Sequence, residues 1–308
     1  MTCYLIAGAS GYVGSRLATQ LLANGQRVRG LVRNPDTPTV ERLAALGLTV
    51  WIGNLTQPES LIGIAEGVSY VYNLTSCLAI AGEAAHQTYV YGNQHLLAAC
   101  SRARSVRGYL FTSSVAPYGN AGEDLVSEDH PVQPTHPLAA TLLAAEQTIM
   151  RVAREHRFPA TVLRCGSIYG PERDPVEAVS YGLTMLYGDG RNFVSHIHID
   201  DLIAVLLAMP TYGQPGAIYN VADDEPVRQR ELVGAVRQRL GMVPPRSHSP
   251  AAALAAGLDP SIVGMLSASV RLDNRRLKHD LPIRLRYPSM RVWLDERLPH
   301  EAELAIGV

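Results

Sequence analysis

No charge of one sign dominates this chain. Its 308 residues carry 27 lysines and arginines against 28 aspartates and glutamates, a formal net charge of −1. The arginines are scattered rather than run together, so neither nucleic acid nor an anionic membrane surface is an expected partner. Cysteine is scarce: Cys3, Cys77, Cys100 and Cys165 stand far apart with no C-x-x-C pair. That spacing supports neither a disulfide framework nor a zinc site and fits a reducing cytosol. Long hydrophobic runs are missing as well, since LIAVLLAM is too short to span a bilayer. The start, TCYLIAG, has no basic leader and no small-residue cleavage site, and it runs straight into a glycine-rich turn. Export and membrane insertion are not expected, no internal repeat is visible, and a cytoplasmic location is the expectation.

What is present is a 47% hydrophobic composition, enough for a substantial core. Short apolar runs (CYLIA, RVRGLV, LTVWI, SYVYNL, GYLFTSS, ATVLRC) alternate with helical patterns: VGSRLATQLLANG, ERLAALG, ESLIGIAEG, a long helix near 83–104 and another at 136–156. This rhythm implies βαβ units and an α/β fold of the Rossmann type, a doubly wound parallel sheet buried on both faces. Beyond residue 165, proline and glycine recur at short intervals. The expected division is therefore a dinucleotide-binding domain at 1–165 and, at 166–308, a smaller C-terminal lobe that is mainly substrate-binding, with some segments returning to the first domain. HIDDLIAVLLAM and RQRELVGAVRQRLG read as helices, the second stopped by Gly241. PAAALAAGLDP is open between a short helix and a flap.

The first strand ends in GASGYVG, with Gly8, Gly11 and Gly14 spaced G-x-x-G-x-x-G before a helix. Glycines there let the backbone turn tightly and approach a pyrophosphate, whose charge the helix N-terminus stabilises. Ser10, Tyr12 and Val13 belong to the same candidate contact. At the tip of the second strand, Val32 and Arg33 replace the acid that usually meets the ribose hydroxyls of NAD. A guanidinium can pair with a 2′-phosphate, so NADP(H) is expected over NAD(H), against the alternative that Arg33 is a solvated surface residue.

Further segments join the glycine turn in one pattern: GNLTQPESL, FTSSVAPYG, LRCGSIYGPERD, GDGRNFVSHIHIDD and IYNVADDEPVRQREL. Together they resemble the extended short-chain dehydrogenase/reductases, the NAD-dependent epimerase/dehydratase group, over nearly the whole chain. The resemblance places Asn54, Leu55 and Leu74 around the nucleotide and Ser114 at the catalytic serine. It also implies an enzyme acting on a small molecule, and a homodimer built from the helices near 83–104 and 136–156. In that family a Tyr handles the substrate proton and a Lys one turn on holds the nicotinamide ribose and lowers the Tyr pKa. PTHPLAATLLAAE departs from this pattern, with Leu138 at the Tyr and Leu142 at the Lys, and Tyr89 stands where a supporting Asn is expected.

Leucine neither ionises nor donates a hydrogen bond. Ser114, Tyr118 and His136 are the candidates for polarising a substrate carbonyl, and Leu138, Leu142, Tyr89 and Tyr169 for lining an apolar cleft suited to a hydrophobic or aromatic ligand. Tyr118 and Tyr169, in Y-G turns, are likelier ligand contacts than proton donors, and His136 has an exposed helix-start reading. Glu128, Asp129 and His130 are further candidates for a replacement acid or base, in a stretch that otherwise reads as a solvated lid. His196 and His198 look like a metal pair without a third ligand, so no metal is expected and packing suits His198 better. Asp200 and Asp201 read as caps for the following helix. Three functions remain open: an atypical reductase or epimerase-like enzyme, a non-redox lyase, isomerase or cyclase, and a non-catalytic NADP(H) sensor.

Overall fold

The alternating apolar runs become seven strands of one parallel sheet. A computed structural model of the chain describes residues 2–76, 82–182 and 186–298; Cys77 lies outside them. The strands are β1 (Cys3–Ala7), β2 (Arg27–Val32), β3 (Thr49–Ile52), β4 (Tyr70–Asn73), β5 (Gly108–Ser114), β6 (Ala160–Cys165) and β7 (Ile218–Val221), in the spatial order β7-β6-β5-β4-β1-β2-β3. Each neighbouring pair is parallel. Because successive strand residues point to opposite faces, Leu5, Val71, Phe111 and Val162 bury on one side, and Ile6, Tyr72, Leu110 and Leu163 on the other. The first face is covered by a long helical stretch at 83–103 and by α4 (Pro137–His156), the second by α1 (Tyr12–Ala23) and α5 (Ile199–Tyr212). Between α1 and α4 the chain also forms α2 (Pro38–Ala45), and the stretch at 83–103 is α3 below.

Strand order reverses between β1 and β4, so the carboxyl ends of these strands open a crevice where such folds bind ligands. The seventh strand comes from 218–221, well after residue 165, and α5 likewise packs on the sheet. Several later segments gather around Tyr169, Val233, Tyr287 and Trp293 in a smaller apolar cluster, while Val270 and Leu272 pack with Tyr118 and Val126 in another. Among the described residues no helix is long and apolar enough to cross a membrane.

Three expectations are corrected here. ESLIGIAEG forms only a 3-10 turn, Pro58–Leu61, because Gly63 and Gly67 adopt φ of 81° and 70°, outside helical backbone. α3 is not uniform: Gln87–Tyr91 widens into a π turn between Glu83–His86 and Gly92–Ala103. Neither Asp200 nor Asp201 caps α5; His198 does, its Nδ1 accepting from the Asp200 N–H at 3.2 Å. Asp201 is buried and instead accepts from the N–H groups of Arg286 and Tyr287 at 2.7 and 2.9 Å, fastening the C-terminal segment. Residues 250–260 contain a short helix, Pro250–Ala255, and Gly241 follows the helix Gln229–Arg239 with φ of 64°, as a stop residue should.

Candidate active site

The glycine turn makes a cradle that side chains would fill. Gly8 has φ of 84°, and a Cβ there would lie 2.9 Å from the Leu74 carbonyl oxygen; a Cβ on Gly14 would lie 2.1 Å from that of Gly8. Gly11 stands at the N-cap of α1 with no side-chain cap, and the first turn carries no acid. The helix therefore presents free N–H groups and its positive end to an anion, and these residues fit a dinucleotide pyrophosphate. Tyr12 closes one side. Its hydroxyl donates to the Pro171 carbonyl at 2.8 Å, and its ring lies between the guanidinium groups of Arg16 and Arg173, at 4.1 and 4.4 Å. Ser10 is exposed beside the turn, and Val13 is half-buried. Leu74 follows β4 directly, its N–H bonded to the Ala7 carbonyl at 3.0 Å. Asn54 folds its side chain back onto the Thr56 N–H at 3.1 Å, and Leu55 is buried with its carbonyl 2.7 Å from His95 Nδ1. Arg33 is exposed at the tip of β2.

Ser114 ends β5 opposite Cys165, and its Oγ accepts from the Ala116 N–H at 3.1 Å. It opens onto a cavity of about 620 Å³ whose wall includes Ser114, Ile168, Tyr169, Phe193, His196 and Leu232. Of the cleft residues proposed from sequence, Tyr169 is in this wall, while Leu138, Leu142 and Tyr89 are elsewhere. Leu142 is 5% exposed and lies in the core between α4 and the sheet, with Leu138 half-buried against the same cluster. Tyr89 is buried in the π turn, and its carbonyl accepts from Asn93 Nδ2 at 2.6 Å. Asn93 Oδ1 in turn accepts from Asn73 Nδ2 at 2.9 Å and from the Tyr109 hydroxyl at 2.5 Å, a buried amide knot beneath the strand ends.

The other proton-handling candidates are engaged locally. The Tyr118 hydroxyl donates to Asn220 Oδ1 at 2.7 Å under the Arg164 guanidinium; burial raises its pKa despite that charge. His136 is the N-cap of α4, its Nδ1 accepting from the Ala139 N–H at 3.3 Å, and burial lowers its pKa. Glu128 is buried rather than solvated and accepts from the Asn220 N–H at 2.9 Å. Asp129 is exposed and bonds Arg276 at 2.8 Å. Among the described residues no group of three or more His, Cys, Asp or Glu is placed to hold a metal ion. His196, first noticed as half of a metal pair, is in the cavity wall and 6% exposed. Its signal in the sequence was slight: a strand histidine beside a half-polar run.

A parallel sheet with a glycine cradle at its switch point and a cavity beside the tip of β5 defines a dinucleotide-binding enzyme fold. Residues 4–222 match the NAD dependent epimerase/dehydratase family, and the chain belongs to it. It is 26% identical over 275 residues to a dTDP-glucose 4,6-dehydratase of Streptomyces griseus, covering 78% of this chain and 79% of that one. Among solved structures it is similar to DesIV, a dTDP-glucose 4,6-dehydratase of Streptomyces venezuelae with NAD and TYD bound. That likeness has a TM-score of 0.80 at 23% identity over 96% of both chains. It is also similar to MoeE5 in complex with UDP-glucuronic acid and NAD, with a TM-score of 0.75 at 25% identity over 92% of this chain and 93% of that one.

These structures overturn the expectation of NADP(H): the dinucleotide named in both is NAD. The physical reason the inference from Arg33 failed is that a guanidinium at this tip can lie flat on an adenine ring as well as pair with a 2′-phosphate. The residue type alone does not separate the two cofactors.

Proposed function

We propose that this protein is an NAD(H)-dependent oxidoreductase, epimerase-like in its chemistry, that acts on a small, largely apolar or aromatic molecule without a Tyr–Lys relay. The observation that carries this reading is a glycine cradle beside a carbon-rich cavity at Ser114; leucine at the two positions that the family resemblance assigns to the relay supports it. Gly8, Gly11 and Gly14 would hold the pyrophosphate, Arg33, Asn54 and Leu55 the adenosine end, and Leu74 the ring between. A bound nicotinamide would supply hydride exchange. Ser114 orients the substrate oxygen, the cavity wall excludes water, and the segments after residue 165 that do not return to the sheet form the substrate lobe. General acid–base groups contribute roughly 10²- to 10⁴-fold, so an aligned pair of reactants keeps a slow reaction without them.

Calorimetric titration tests the reading. NADH should bind in the micromolar range and more tightly than NADPH, and Gly14→Ala should abolish binding because its Cβ would strike the Gly8 carbonyl oxygen. Absence of NADH binding at millimolar concentration would overturn it and leave a non-redox reaction in the same cavity as the better reading.

A further inference from the structure

One edge of the cavity wall is a tight turn fastened to the glycine cradle. After Tyr169 the chain reverses, and Gly170 and Arg173 exchange backbone hydrogen bonds at 3.3 and 3.0 Å. Gly170 has φ of 137°, and a Cβ there would lie 2.9 Å from His198 Nε2 and 3.3 Å from the Tyr12 hydroxyl. Glu172 has φ of 69°, a left-handed backbone that residues with a Cβ seldom take unless their surroundings enforce it. Here α1 enforces it. The Tyr12 hydroxyl donates to the Pro171 carbonyl at 2.8 Å, Glu172 meets Arg16 at 3.1 Å, and the Arg173 guanidinium lies over the Tyr12 ring at 4.4 Å. Tyr12 is the first residue of α1, at the end with the free N–H groups, so the turn sets Arg173 beside an anion-binding helix terminus.

Of the charges around Tyr12, only that of Arg173 is left unmatched. Arg16 is committed to Glu172 and to the Tyr12 carbonyl, which its Nη1 meets at 3.0 Å. Asp200, the other acid whose charge reaches Tyr12, lies 3.7 Å from Arg286. Asp174, next to Arg173 in the chain, pairs with Arg297 at 2.8 Å. Among the described residues no carboxylate pairs with Arg173, and its side chain is exposed and accessible. An exposed cation–π contact adds little to stability, so stability is a weak reason to hold the guanidinium there. A dinucleotide supplies a better one. Each phosphate of its pyrophosphate carries a negative charge, a helix N-terminus offers only about half a unit of positive charge, and the first turn of α1 brings no side-chain cap. A guanidinium fork fits phosphate oxygens.

We propose that Arg173 is a dinucleotide-binding residue, its guanidinium pairing with the pyrophosphate held at the glycine turn. This rests on the reading above in placing a dinucleotide there, and it adds the cation that the glycine turn itself lacks. Arg173 also lines the cavity, so the competing use of its charge is an anionic ligand bound in the cavity.

Calorimetric titration of the full chain tests this with NADH and with ADP-ribose, which keeps the pyrophosphate and lacks the nicotinamide. Arg173→Met leaves carbon over the Tyr12 ring and removes the charge. It should weaken both ligands about tenfold or more, and by the same factor, the worth of a charge-assisted hydrogen bond. Arg173→Lys keeps the charge and should recover most of that loss, which separates charge from any effect of the methionine on folding. Raising the salt from about 0.05 to about 0.5 M should weaken NADH more in the parent than in Arg173→Met, because screening acts on a charge pair that the variant lacks. NADH binding by Arg173→Met within about twofold of the parent, equal salt dependences, a lysine variant as weak as the methionine one, or a loss for NADH without one for ADP-ribose would each overturn the proposal. The first of these would leave Arg173 to an anionic ligand in the cavity. A parent that binds neither NADH nor ADP-ribose would sink the oxidoreductase reading, and this role of Arg173 with it, before any variant is compared.

Discussion

Glu146 and Arg164 form an ion pair in full burial, the carboxylate taking Nε at 3.1 Å and Nη2 at 2.7 Å, with side chains 2% and 4% exposed. Burial alone would lower the arginine pKa, but Glu146 and the Tyr118 ring beneath it hold it above the usual value. Glu146 closes the PTHPLAATLLAAE segment, so this pair bolts α4 and its two leucines to β6. Glu146→Ala should cost about 3–5 kcal/mol, because it strands a guanidinium in the interior. Replacing both partners, as Glu146→Leu with Arg164→Met, should cost markedly less. Denaturant melts of the three variants decide it, and a double variant no better than Glu146→Ala would show that the charge is not the source of the loss.

Asp223 gives the fold a dependence on pH with a definite sign. Its carboxyl is 1% exposed, and burial first, then Asp224, Glu225 and Asp201, pushes its pKa up to about 8. The folded protein therefore keeps a proton that the unfolded chain releases near pH 4, and stability falls as pH rises from about 4 to about 8. Asp223→Asn removes this slope. The cost of burying the amide is constant with pH, and the contributions of His196 and Asp201 are common to both proteins. The stability difference between variant and parent should move in favour of the variant by several kcal/mol from pH 4 to pH 8 and then level off. Urea unfolding across that range measures it; a difference independent of pH would place the Asp223 pKa in the ordinary carboxylate range.

How much of this was legible depends on how local each cause is. GASGYVG and the strand before it could be read directly, because tight turns and a period of two are properties of neighbouring residues. ESLIGIAEG misled because its apolar spacing suits a helix, whereas Gly63 and Gly67 need φ values a helix excludes. The π turn at Gln87–Tyr91 was invisible, since Asn93 bonds to the Tyr89 carbonyl while also meeting Asn73 at the end of β4. His136 was a candidate for polarising a substrate and His198 was read as packing; both are helix caps, and only the folded geometry reveals the N–H each receives. Arg33 misled in another way, because one side chain serves either dinucleotide.

The assembly gives a direct measurement. α3 and α4 lie side by side over one face of the sheet, and a second copy would complete four helices. Light scattering at micromolar concentration should give twice the 33.4 kDa of one chain. A mass of one chain would exclude a homodimer under those conditions.

The last prediction separates Leu142 from Leu138. Four residues apart on one helix, they share a face, but the structure treats them differently: Leu142 is 5% exposed within the main core, and Leu138 is half-buried at its border. A lysine at 142 would carry its ammonium into a packed apolar layer, where an unpaired charge is penalised by several kcal/mol unless it loses its proton or drags water inward. Leu142→Lys should therefore lower stability by about 3 kcal/mol or more, whereas Leu142→Met, nearly equal in volume, should cost less than about 1.5 kcal/mol. Leu138→Tyr should be tolerated within about 1 kcal/mol, since its ring can run along the border with the hydroxyl in water. Melting curves of the three single variants read these differences. If Leu142→Lys melts with the parent, the space beside residue 142 is open to solvent and the leucine pair belongs to the cleft. If it melts far below, the place that the family resemblance assigns to a proton relay is filled with carbon in this chain, and whatever chemistry it performs must be organised from the Ser114 side of the cavity.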